Sequence, residues 1–194
     1  DGSEYALQKV TQSGLDFTFN GDRSVRLGQL DVGNGDLALT SSAGSLLADA
    51  GNQMRAGSLK LNAAGRIGEA QALLNAESPV VQATALGGGL YLNNQGNLTL
   101  TALATGSVSV NTSGALTVDG LTATNQTVAL TANGGDLLGR NGLLMDAGTL
   151  ILNASGALGN QGNRLLSNAT SLSGSSGNGG IYATLSGSSA TLNL

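Results

Sequence analysis

Six ionisable residues lie close together in the first half of the chain: Asp49, Arg55, Lys60, Arg66, Glu69 and Glu77. Carboxylates grouped with Arg and Lys are the equipment of polysaccharide lyases and hydrolases. Such enzymes need an acid and a base flanking the scissile bond and a cation to stabilise the developing charge. The chain carries its own control, because it repeats at a spacing of 91 residues. The corresponding positions in the second copy are Arg140, Asp146, Ile151, Ala157, Asn160 and Asn168, so the group is not reproduced. It reads as a solvated ion-pair patch. There is no His, and no Ser has a base within plausible reach, so the expectation is a protein that is not an enzyme and has no catalytic residues.

Other chemistries fare no better. "GNGDLAL" and "GGDLLGRNG" each offer one Asp next to Gly, without the nine-residue recurrence that a calcium β-roll needs. An Asp fixing its own turn explains them, and no metal or cofactor is expected. Tyr91 and Tyr182 follow a Gly pair in equivalent places of the two copies. Exposed rings stack on sugars, so these two, with Arg55 and Arg66, are the candidate glycan contacts; packing against a neighbouring coil accounts for the rings equally well. Thr99/Thr101 and Thr122/Thr124 read as outward-facing strand residues. Asn-x-Ser/Thr sequons begin at Asn97, Asn111, Asn125, Asn153 and Asn168, a number that chance supplies in a chain this rich in Asn, Ser and Thr.

The elements that would position any of these residues are set by an unusual composition. Of 194 residues 31 are Gly, 10% are charged and 3% are aromatic, which rules out one thick core built on large rings. The net charge of −4 and the scattered basic residues exclude nucleic acid as a partner. Cysteine is absent, so backbone pairing must hold the chain together without disulfides.

From Ala38 to Leu74, 17 of 37 residues are identical to those of Ala129 to Leu165, and "AGSLKLNAAGRIG" faces "AGTLILNASGALG". Apolar-x-apolar triplets begin at Phe17, Val25, Leu30, Leu37, Leu59 and Val81, and the lead strand recurs at Phe17, Leu37, Leu59, Val81, Val108, Val128, Leu150 and Leu172, at steps of 20, 22, 22, 27, 20, 22 and 22 residues. Two shorter strands fit between successive triplets, as in "SLKLNAAG", "RIGEAQ" and "ALLNAES". Alternation over three to five residues, closed by Gly, Asn or Asp, marks a short strand with one buried face. Such strands cannot stand as a sandwich. Stacked coil on coil, each pairs with its counterpart about 4.8 Å along the axis. The expectation is an all-β solenoid of about eight coils of 20–22 residues, three short strands each, in two copies of a 91-residue unit. Residues 1–194 would form a single β-helix segment, flanked by coils of the same longer chain.

The run "GDLALTSSAGSLL", "AGSLKLNAAGRIG" and "GGGLYLNNQGNLTLTALATGSVSVNTSGALTVDG" resembles the repeat region of filamentous haemagglutinin-type exoproteins, the large passengers of two-partner secretion. That resemblance implies a right-handed parallel β-helix, export through an outer-membrane two-partner secretion transporter, and a place at the bacterial cell surface or in the secreted fraction. It further implies an interior shaft module of an adhesin or toxin-delivery stalk, with host-cell or bacterial surface glycans and receptors as partners. A carbohydrate-binding lateral surface, and behind it a polysaccharide lyase or hydrolase, are the alternatives.

Overall fold

The computed structural model describes residues 4–140, 142–186 and 191–193, which form a right-handed parallel β-helix with no helix among them. Every pairing between its strands is parallel, and each partner lies one turn away. One column of paired residues runs through the described strands: Tyr5, Val25, Leu46, Ile67, Leu90, Val108, Val128, Leu150, Leu172 and Leu192 occupy successive rungs. Ten rungs make nine turns, roughly 43 Å of rod at the usual strand spacing. The additional turn over the eight expected comes from Glu4–Thr11, whose polar sequence hides its pairing with Ser24–Asp31.

The core is built from small aliphatic layers. Leu27, Leu30, Leu37, Leu39, Met54, Leu59, Leu61 and Leu74 are all fully or almost fully buried, and the alternation of burial along Ser58–Ala63 and Leu90–Asn94 has the strict period of two that a one-sided strand requires. Among the described residues no buried side-chain nitrogen or oxygen lacks a hydrogen bond. Asn52, 4% exposed, shows how a corner achieves this: its Nδ2 donates to the carbonyls of Leu27 and Gly28, and its Oδ1 accepts the Asn75 backbone N–H at 2.8 Å.

The first four turns are three-sided. Their faces carry Val25–Leu46–Ile67, then Leu30–Met54–Ala76, then Phe17–Leu37–Leu59–Val81. The fifth and sixth turns are not. Ile67 and Leu74 stack on Leu90 and Leu92 of a single straight strand, Leu90–Asn94, so two faces merge into one. The step along the column shortens to 18 residues between Leu90 and Val108. On the opposite side Val81 pairs with Leu100, and Leu100 with Val118. A bulge after Leu100 then splits that face into Leu116–Leu137–Leu158–Ile181 and Ala123–Ala147, restoring three sides.

This waist corrects the series of triplets read from the sequence. Val108 does not follow Val81 on one face; it lies under Leu90. The 27-residue step is a change of face. The second 91-residue copy is therefore rotated about the axis by one face relative to the first. The segment "RIGEAQ" is also less of a strand than expected: Ile67 makes a single bridge on each side, and Glu69–Ala72 closes a turn that projects from the rod.

Candidate functional site

The charged group of the first copy is dispersed by the fold. Arg55 sits in a column on one corner, 3.8 Å from Asp31 on the turn before and 3.4 Å from Glu77 on the turn after. Arg66 pairs with Glu69 within the projecting turn. Lys60 lies on another face, and the Asp49 carboxylate accepts a 2.7 Å hydrogen bond from the Gln8 amide. That amide, followed by the backbone N–H of Ala50, holds the Asp49 carboxyl below the usual range. Exposed pairs of this kind contribute about 0–1 kcal/mol each. They keep the charged columns in register and do not converge on a shared point. Among the described residues no group of three or more His, Cys, Asp or Glu side chains could hold a metal ion.

Tyr91 and Tyr182 repeat in structure as well as in sequence. Each ring lies over the glycine two residues before it: a Cβ on Gly89 or Gly180 would stand 2.8 Å from the ring's Cε2. Each Tyr N–H bonds the carbonyl of Ile67 or Leu158 on the preceding turn, and each Tyr carbonyl crowds Gly68 or Gly159, both at positive φ. The repeated Gly-Gly-x-Tyr unit is thus a packing device in which the ring fills the space a glycine side chain leaves open. Because the second copy is rotated, Tyr91 and Tyr182 occupy different faces, four turns or roughly 19 Å apart along the axis. Of the four residues named as glycan contacts, only Arg66 and Tyr91 come from adjacent strands on one face, through the Ile67–Leu90 bridge. Tyr182 is remote from them and Arg55 stands on a separate corner between two acids.

The fold assembles a different surface that sequence reading passed over. On the face of Phe17, Leu37, Leu59, Val81 and Leu100, the outward residues form two parallel rows. One row is Thr18, Ala38, Lys60, Gln82, Thr101 and Gly120; the other is Asn20, Thr40, Asn62, Thr84, Leu103 and Thr122. A shallow cavity of about 290 Å³ opens between Lys60 and Thr122, with others of about 170 Å³ beside Ala38 and about 380 Å³ beside Thr40. Gly120 gives the trough its floor: a Cβ there would stand 3.0 Å from Thr101 Cγ2. The concavity arises where the bulge after Leu100 throws the rows out of line. Thr101 was read as an outward-facing strand residue, but its place beside Gln82 was hidden because the 27-residue step concealed their shared face. The triplets "LTL" at Leu98 and "LTV" at Leu116 were the signal that could have revealed it.

A concavity of about 500 Å³ lies at another corner between the turn at Ala50–Gly51 and the projecting turn at Ala70–Leu73. Of its polar groups, Asp49, Asn52 and Asn75 already bond Gln8, the backbone and one another. Comparison with known proteins adds no assignment: the chain matches no family model, no curated protein and no solved structure.

Proposed function

We propose that this chain is a shaft module of a secreted bacterial surface filament, an adhesin or toxin-delivery stalk exported through an outer-membrane two-partner secretion transporter. The observation that carries the proposal is the unbroken column from Tyr5 to Leu192, nine turns in which each strand pairs only with the turns before and after it. In such a solenoid, length scales with residue number, and stiffness comes from continuous backbone ladders and interlocked aliphatic layers. Absence of cysteine suits a chain that crosses an envelope unfolded and folds outside without an oxidant. The long neutral faces rich in Ser, Thr and Asn suit an exposed rod, with coils of the same chain continuing it.

Fractionation of the producing cells tests this directly. An antibody to the chain is expected to label intact cells and the culture supernatant, and deletion of the partner transporter to abolish both signals. Recovery of the chain in the cytosolic fraction alone would overturn the proposal.

A further inference from the structure

We propose that the trough floored by Gly120 is a binding site for a linear polysaccharide bearing carboxylates, laid along the rod axis. The first ground is unused hydrogen-bonding capacity. Lys60, Asn62, Gln82, Thr84, Thr101 and Thr122 line it, and none of their side chains makes a hydrogen bond or ion pair. Some amides on other faces are engaged: the Asn93 amide donates to Asn75, and the Asn168 amide donates to Asp146. Donors and acceptors that recur about every 4.8 Å along a line match a polymer of hydroxylated units better than a compact ligand.

The second ground is charge. Lys60 is the only charged side chain in either row from Thr18 to Thr122, and it is exposed and unneutralised. The nearest acid lining the adjoining cavity, Asp36, accepts a 2.6 Å hydrogen bond from the Ser58 hydroxyl. Lys60 is the one cation of the two rows, with Asp36 at the end of the neighbouring strand, and its three donors suit a carboxylate. The third ground is shape. Leu103, 40% exposed at the trough's edge, offers an apolar surface to the C–H face of a sugar ring. Arg55 and Arg66, by contrast, already face acids.

The test is a titration of the isotope-labelled chain with alginate oligomers, whose units carry carboxylates, and with dextran as the neutral counterpart. Alginate is expected to shift the amide resonances of Lys60, Gln82 and Thr101 while leaving those of Tyr182 unmoved. Lys60→Gln is expected to weaken alginate binding about tenfold with unchanged circular dichroism, and raised salt to do the same to the parent chain. Absence of shifts on this face, equal affinity for dextran, or undiminished binding by Lys60→Gln would each overturn the site. Location of the chain in the cell does not enter the readout, so this proposal and the shaft proposal can fail separately.

Discussion

Two glycines show how differently one residue type can be used on the same rod. Gly51 and Gly68 both have positive φ, at 72° and 68°, so any other side chain meets backbone strain at either. At Gly51 a Cβ would find nothing within 4 Å, whereas at Gly68 it would stand 2.3 Å from the Tyr91 carbonyl oxygen. Gly51→Ala is therefore expected to cost about 1 kcal/mol and Gly68→Ala at least twice that, read as shifts in the thermal midpoint. Asn52 supplies a second residue-scale prediction. Asn52→Ala strands two carbonyls and the Asn75 N–H at a buried corner, and a loss of about 2–3 kcal/mol is expected in denaturant unfolding. A third concerns pH. The Tyr5 hydroxyl donates to Asp22 at 2.7 Å; this bond, followed by the backbone N–H of Asp22, lowers the Asp22 carboxyl, while it raises the Tyr5 phenol above its ordinary 10.0. The lowered carboxyl contributes stability above the ordinary carboxylate range that is lost as pH falls through its folded value. The raised phenol contributes stability below pH 10 that is lost as pH rises through its folded value. Tyr5→Phe is expected to raise the Asp22 titration, followed by carboxyl resonances, toward the ordinary range, with the backbone N–H and Arg23 still holding it below.

At the scale of the element, the strands themselves were legible, because a triplet such as Leu59-Lys60-Leu61 can bury two aliphatic side chains on one face in only one conformation. All eight lead positions begin or lie within strands. Which strand stacks on which was not legible across the waist. Alternation reports that Val81 and Val108 each face inward, but an inward residue carries no label for the side of the rod it comes from. The two-sided turns around Leu90–Asn94 and Val108–Thr112 contain the same triplets as the three-sided ones, only closer together. The trough was invisible for the same reason, since Lys60, Gln82 and Thr101 are neighbours only once the ladder Leu59–Val81–Leu100 is known. The unit of tolerance should accordingly be the turn. Removing residues 128–149 superposes Leu150 on the rung of Val128 and keeps every later column in register. That deletion is expected to preserve the β spectrum and shorten the rod by about 4.8 Å in small-angle scattering. Removing 128–138 instead shifts later strands by half a turn and is expected to abolish cooperative unfolding.

For the molecule as a whole, the consequence of the waist is that sequence repeat and spatial repeat are different objects. The 91-residue copies share Gly68/Gly159, Tyr91/Tyr182 and their backbone bonds, yet display these units on different faces. A rod assembled this way does not present one continuous stripe. Its trough spans the junction of the two copies, from Lys60 to Thr122, and the residue that matches Lys60 in the second copy is Ile151, on the face of Val108 and Leu150. Absence of native cysteine allows this arrangement to be read by cross-linking. Stacking by the 27-residue step would set Gln82 beside Ser109, whereas the structure pairs Gln82 with Thr101 and Ser109 with Tyr91 and Ala129. Partners in adjacent parallel strands have Cα atoms about 4.8 Å apart, inside the range a disulfide spans. The doubly substituted chain Gln82→Cys/Thr101→Cys is expected to form an intramolecular disulfide under mild oxidation, seen as a mobility shift reversed by reductant. Gln82→Cys/Ser109→Cys is expected to remain reduced. Cross-linking of the second pair and not the first would place both copies on the same faces and remove the waist from the fold.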